Sequence, residues 1–138
     1  MVLVVDDHEE NAYVLCRLLT REGYQTTAVS SGPAALEFLR DTPVKLVILD
    51  YHMPEMDGLA VFRAMKADPT LRSVPVIFFS AYDGETREQA LREGVVAWVV
   101  KGSLDAAALQ RHIIALIGPG IRIPLPDPIP PSRVTDAG

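Results

Sequence analysis

The 138-residue chain predicts an α/β protein built on a five-stranded, parallel, doubly wound sheet. Three observations carry that prediction. Five short runs of apolar or β-forming residues alternate strictly with segments of helical period over residues 1–118. Runs such as Val2–Val5 and Leu46–Leu49 carry no polar residue, as expected of strands covered on both faces. The segments between them are short, which implies right-handed crossovers and parallel strands. The strand order 2-1-3-4-5 fits, with a switch point between strands 1 and 3.

Each element follows from its own residues. Val2–Val5 is the first strand and ends at Asp6-Asp7. Residues 9–22 read as a helix, because Ala12, Leu15, Cys16 and Leu19 fall at i, i+3, i+4 and i+7. Gly23 suits the end of that helix. Tyr24–Val29 is rich in β-formers and reads as the second strand. Ser31 is placed to cap the next helix, Pro33 sits in its first turn, and Pro43 lies beyond its end. Ala35, Phe38 and Leu39 are its expected inward residues. Lys45–Leu49 forms the third strand, stopping abruptly at Asp50.

A helix over Gly58–Asp68 follows, with Val61, Phe62 and Met65 inward and Pro69 beyond it. Pro75–Phe79 is the fourth strand, ending at Ser80; proline is tolerated at the first position of a strand. The helix over about Glu85–Glu93 has only Ala90 and Leu91 as clear apolar residues, so it is expected to be the least firmly held. Val95–Val100 is the fifth strand and ends at Lys101. Ser103 is expected to cap the last helix, in which Leu109, Ile113 and Leu116 face inward and Gly118 stops the run.

Residues 1–118 therefore read as one domain, and 119–138 as something else. Six of those last 20 residues are proline, and their charges cancel. The composition is that of a polyproline-like tail or linker, or alternatively a ligand for a proline-reading groove.

Composition excludes several classes of function. Net charge is −5 and no basic run stands out, so direct binding of nucleic acid or an anionic membrane surface has little electrostatic support. The apolar runs are far too short to span a bilayer. Met1 leads straight into a strand pattern, leaving no room for a signal peptide. Cys16 stands alone, so no intramolecular disulfide can form, and a reducing, cytoplasmic setting is expected.

The chemistry gathers where the strands end. Strand 1 delivers Asp6 and Asp7, strand 3 Asp50, strand 4 Ser80 and strand 5 Lys101. In a parallel sheet these ends share one edge. Strand 2 delivers Ser30 and Ser31, with no charge. Three close carboxylates repel, and hard oxygen donors at that density invite Mg²⁺. An acid held against a divalent cation, a lysine and a hydroxyl is suited to phosphoryl transfer onto the carboxylate.

The segments Val4-Val5-Asp6-Asp7, Leu49-Asp50-Tyr51-His52-Met53-Pro54-Glu55-Met56-Asp57-Gly58, Phe79-Ser80-Ala81 and Ala97-Trp98-Val99-Val100-Lys101 carry a family resemblance. Over residues 1 to about 118 the chain resembles the response-regulator receiver domain of two-component signalling, with its CheY-like fold. The Met-Pro-x-Met-Asp-Gly loop behind a strand-ending aspartate is the most specific part. The resemblance implies that Asp50 is the phosphoacceptor. It implies that Asp7, Asp50 and the His52 backbone carbonyl bind Mg²⁺ directly and that Asp6 does so through water. Ser80 would hydrogen-bond the phosphoryl group and Lys101 would pair with it. Ser80 and Trp98 would form the switch, with Trp98 turning inward.

On the same resemblance, a histidine kinase or histidine phosphotransfer protein supplies the phosphoryl group. The domain would be no enzyme in the ordinary sense, but would catalyse its own phosphorylation and dephosphorylation with Mg²⁺. Its 84–117 face would change shape to control a partner or a homodimer. The bulky His52 and Tyr82, each two positions beyond a site residue, are expected to slow dephosphorylation. Lys101 is followed by Gly102 where the family has proline, and Trp98 stands where the family has tyrosine or phenylalanine.

Plainer readings stand beside these. Asp6 and Asp7 would also suit the start of a helix. Asp57 reads as a helix cap, His8 as loop surface and Cys16 as core. A phosphorylation-independent interaction or dimerisation module with the same fold is the alternative function. A phosphatase of the haloacid-dehalogenase type would need an acid two residues after Asp50, and that position is His52.

Overall fold

The computed structural model describes residues 1–81, 84–101 and 106–120. Tyr82, Gly102, Ser103 and the proline-rich stretch from residue 121 lie outside the described residues. The elements are β1 (Val2–Val5), α1 (Glu9–Arg21), β2 (Thr26–Val29), α2 (Gly32–Asp41), β3 (Leu46–Leu49), α3 (Gly58–Ala67), β4 (Val76–Ser80), α4 (Glu85–Glu93), β5 (Ala97–Val100) and α5 (Ala106–Ile117). All strand pairs are parallel and the order is β2-β1-β3-β4-β5, as the alternation of strands and helices predicts.

Strand side chains alternate between the two faces, and this splits the core into two layers. Leu3, Val5, Val47, Leu49, Val76, Phe78 and Trp98 face α2, α3 and the buried Ala90 of α4. Val2, Val4, Leu46, Ile48, Ile77, Ala97 and Val99 face α1 and α5. Every residue of β1 and β3 is buried, which explains why neither shows a polar position. Each such side chain contributes about 1.5–3 kcal/mol through burial. These two strands form the rigid centre from which Asp6 and Asp50 emerge.

Several boundaries differ from the sequence expectation, each for a local reason. β2 begins at Thr26 instead of Tyr24. Gly23 adopts φ +93° and turns the chain, and Tyr24 is buried with its hydroxyl donating to the Gly118 carbonyl at 2.6 Å. An aromatic that resembles a strand residue is thus used to tie the end of α5 to the end of α1. β4 is shifted by one and contains Ser80, while the Pro75 carbonyl still accepts from Val47 N–H at 3.0 Å. β5 starts at Ala97, because Val95 N–H closes the α4 turn on the Ala90 carbonyl. In α2 the fully inward set is Ala35, Leu36 and Leu39, and Phe38 is only partly buried against the core.

The expected caps are present where they are described. Ser31 accepts from Ala34 N–H, Asp57 accepts from Ala60 N–H at 2.9 Å, and Gly94 ends α4 at φ +114°. Of the two apolar residues in α4, Ala90 is buried and Leu91 is exposed. An exposed bidentate pair from Arg63 of α3 to Glu93, at 2.8 and 2.7 Å, supplements that thin contact. Cys16 is buried in the core. No helix among the described residues is long and apolar enough to cross a membrane.

Candidate functional site

β1 and β3 are neighbours in register, Val5 opposite Leu49, so their next residues emerge side by side. The backbone ladder runs on by one step: Asp50 N–H donates to the Val5 carbonyl at 2.9 Å, and Asp6 N–H to the Val29 carbonyl at 3.1 Å. The main chain that carries each carboxylate is therefore fixed by backbone hydrogen bonds. On the other flank, Lys101 N–H donates to the Ser80 carbonyl at 2.7 Å and carries the β4–β5 pairing past its last strand residue. Asp6, Asp7, Asp50, Ser80 and Lys101 thus share the carboxyl edge of the sheet, as expected from the strand ends.

The loop after Asp50 is tight. Gly58 N–H donates to the Tyr51 carbonyl at 2.8 Å, and Glu55 takes φ +69°, a left-handed conformation that costs a non-glycine residue about 1 kcal/mol or more. A Cβ on Gly58 would lie 2.6 Å from the Asp50 carbonyl oxygen. Glycine at this position lets α3 start directly behind the site, with Asp57 as its cap.

The electrostatics follow from burial. Asp6, Asp50 and Ser80 are all buried. Lys101 Nζ lies 2.6 Å from Asp6 Oδ2 and 3.4 Å from Asp50 Oδ2, so one ammonium serves two carboxylates. Burial raises the Asp50 carboxyl above its ordinary value. The charge of Lys101 opposes that rise, the charge of Asp6 adds to it, and hydrogen bonds from Lys101 and the His52 backbone pull it down again.

The donor set suits a divalent cation. Asp7 Oδ1 is sealed from solvent and has no hydrogen-bond partner among the described residues. One carboxylate oxygen from each of Asp6, Asp7 and Asp50, with a nitrogen of His8, all lie within 4.8 Å of one another. Three hard oxygens and an unused lone pair are what such a cation takes up. His8 was expected to be loop surface, and its side chain is 68% exposed, yet Nδ1 lies 3.1 Å from Asp7 Oδ1. The signal for this was only its place immediately after Asp6-Asp7.

Trp98 and His52 occupy different surroundings. His52 is exposed and meets the ring of Tyr51 edge-on at 5.0 Å. Trp98 is buried, 5.1 Å from Phe78 and 5.8 Å from Tyr51 between ring centres. Tyr51 was not singled out from the sequence, and it joins the loop behind Asp50 to β5. Tyr82, expected with His52 to slow dephosphorylation, lies outside the described residues.

Comparison with known proteins agrees with this geometry. The family model described as the response regulator receiver domain matches residues 2–114. Response regulator PleD of Caulobacter vibrioides is 42% identical over 112 residues, covering 80% of this chain and 24% of the relative. Two-component response regulator ORR3 of rice, Oryza sativa subsp. japonica, is 38% identical over 102 residues, covering 72% of this chain and 78% of the relative. The chain thus spans about a quarter of the bacterial relative and most of the plant one.

Among solved structures, the receiver domain of a signal transduction histidine kinase from Syntrophus aciditrophicus is similar at TM-score 0.76 and 35% identity. That match covers 84% of this chain and 88% of the other. Response regulator TrrA of Thermotoga maritima, crystallised in complex with Mg(2+)-BeF, is similar at TM-score 0.76 and 28% identity, covering 84% and 97%. The chain belongs to the response regulator receiver domain family, in which phosphorylation on aspartate and Mg²⁺ are general features.

Proposed function

We propose that this chain is a phosphorylation-controlled receiver in which Asp50 accepts a phosphoryl group from a histidine kinase or histidine phosphotransfer protein, in the cytoplasm. The observation that carries the reading is the convergence of Asp50 with Asp6, Asp7, Ser80 and Lys101 on one sheet edge, with Asp50 held by the Val5 carbonyl. An Asp50 carboxylate oxygen attacks phosphorus. The oxygen–phosphorus bond forms as the phosphorus–nitrogen bond of the donor phosphohistidine breaks, and the electron pair stays with the departing imidazole, which takes a proton.

Asp7, Asp50 and the His52 backbone carbonyl would hold Mg²⁺ directly, with Asp6 acting through water. The bound ion supplies charge neutralisation on the transferred oxygens. Lys101 leaves its bridge between Asp6 and Asp50 and pairs with the new phosphoryl oxygens, and Ser80 donates a hydrogen bond to them. The added charge of about −1.5 to −2 biases an existing equilibrium of the 84–117 face, through which the domain controls a partner or a second copy. Trp98 takes part as a switch residue from an already buried position. His52 and Tyr82 hinder the water that removes the phosphoryl group, and residues 119–138 act as a tail or linker. The complex of the Thermotoga maritima relative with Mg(2+)-BeF supports a divalent cation beside the acceptor.

The test is incubation of the chain with Mg²⁺ and a small acyl phosphate or phosphoramidate, read by intact mass. The expected result is a gain of one phosphoryl group that does not occur when Mg²⁺ is chelated beforehand and is absent in Asp50→Asn. No gain, or a gain retained in Asp50→Asn, overturns the reading. Phosphorylation with no change in oligomeric state or Trp98 fluorescence would instead favour a phosphorylation-independent interaction module.

A further inference from the structure

The turn after β1 places an imidazole on the acidic cluster. His8 N–H donates to Asp6 Oδ1 at 2.9 Å, which fixes the residue over the carboxylates. Its Nδ1 then lies 3.1 Å from Asp7 Oδ1 and 3.5 Å from Asp6 Oδ1. Asp7 Oδ1, the atom facing this nitrogen, is sealed from solvent and has no hydrogen-bond partner among the described residues. A nitrogen of His8 and one oxygen each of Asp6, Asp7 and Asp50 fall within 4.8 Å of one another. Donors on opposite sides of one ion stand about 4.2 Å apart when each bond is about 2.1 Å. Small side-chain adjustments would bring all four atoms onto a single cation.

We propose that His8 is a nitrogen ligand of this site, so that the site accepts borderline transition cations such as Co²⁺ or Zn²⁺ through an imidazole bond as well as Mg²⁺ through oxygen alone. The inference rests on reading the acidic cluster as a divalent-cation site. The chemistry is that of ligand softness. Carboxylates and carbonyls suit Mg²⁺, whereas imidazole adds much more to the binding of zinc, cobalt or nickel than of magnesium. His8 therefore sets which metal the receiver answers to. Its exposure leaves the ring free to turn toward the ion without disturbing the core.

The experiment is calorimetric titration of the full chain with Mg²⁺ and, separately, with Co²⁺, for the wild type, His8→Ala and Asp7→Asn. Imidazole nitrogen shifts are also recorded by NMR with Zn²⁺. For His8→Ala, Co²⁺ affinity is expected to fall about tenfold or more beyond any change for Mg²⁺. Zn²⁺ is expected to shift Nδ1 of His8, and not the nitrogens of His52 or His112. An equal effect of His8→Ala on both metals, or a Zn²⁺ shift confined to His52 or His112, overturns the proposal. If Mg²⁺ binding is instead unaffected by Asp7→Asn, the acidic cluster is not the cation site. That result is distinct from one in which Mg²⁺ depends on Asp7 but Co²⁺ ignores His8.

Discussion

Lys101 Nζ lies 2.6 Å from Asp6 Oδ2, closer than the 3.4 Å that separates it from Asp50 Oδ2. The lysine is thus held primarily by the residue proposed to bind Mg²⁺ through water, and only secondarily by the proposed phosphoacceptor. The ammonium and a divalent cation compete for the same carboxylates. Removing one partner of a largely buried ion pair leaves its charge uncompensated. Lys101→Ala is expected to cost about 2–3 kcal/mol of stability without Mg²⁺. Mg²⁺ is expected to bind that variant more tightly than the wild type and to restore part of the loss. Thermal denaturation with and without Mg²⁺ checks both statements, and equal Mg²⁺ affinity in the two proteins would show that the lysine does not compete.

Asp50 gives a pH dependence whose sign can be worked out. Burial raises its carboxyl pKa in the folded chain, outweighing the attraction of Lys101. The folded state therefore binds this proton more tightly than the unfolded state does. The associated stability is fully present below the ordinary value of 3.8 and is lost as pH rises through the raised folded value. At neutral pH the ionised carboxylate is a net cost, so Asp50→Asn is expected to stabilise the Mg²⁺-free protein by on the order of 1 kcal/mol. That gain should shrink as pH falls toward 3.8. Urea denaturation of both proteins across this range reads it directly, and a gain that grows on acidification would contradict it.

How much of this was legible depended on whether a residue's surroundings are set locally. β1 and β3 were readable because all four residues of each are buried, a condition that leaves an unbroken apolar run. The site positions were readable for a related reason: Asp50, Ser80 and Lys101 each mark the point where such a run stops or yields to a polar residue. Tyr24 was misplaced because its partner, the Gly118 carbonyl, lies 94 residues away, and no local pattern encodes it. Leu36 and Phe38 lie on opposite flanks of the Ala35–Leu39 stripe, and only tertiary packing decides which goes fully inside. His8 escaped because an exposed residue carries no periodic signature, and its bearing on the site comes from a turn held by Asp6. Tyr51 escaped because the neighbouring Asp50 supplied the obvious chemistry.

Gly58 marks the closest approach behind the acceptor. An added Cβ would lie 2.6 Å from the Asp50 carbonyl oxygen and 2.9 Å from Tyr51 Cα, both backbone atoms that cannot step aside. Gly58→Ala is expected to push α3 away from the β3 end, cost about 1–3 kcal/mol and slow phosphoryl uptake at Asp50. Gly84→Ala is the control, because nothing among the described residues lies within 4 Å of its added Cβ. Its effect should stay within about 0.5 kcal/mol. Melting temperatures and uptake rates of the two variants make the comparison, and equal behaviour would remove the steric account.

Trp98 provides the last prediction, through Tyr51. The indole is buried against Phe78 at 5.1 Å and Tyr51 at 5.8 Å, and Tyr51 belongs to the loop that Gly58 N–H closes behind Asp50. A shift of that loop on phosphorylation would therefore reach Trp98 by direct ring contact. Wild-type Trp98 should show the emission and weak acrylamide quenching of a buried indole before any phosphoryl group is added. Tyr51→Ala removes one wall of its pocket and should raise quenching, with a loss of about 1–2 kcal/mol or more in stability. Phosphorylation should alter Trp98 emission in the wild type and do so weakly in Tyr51→Ala. An equal response in both would mean that the state of Asp50 reaches β5 by a route other than this aromatic pair, such as Ser80, which stands opposite Val100 across β4 and β5.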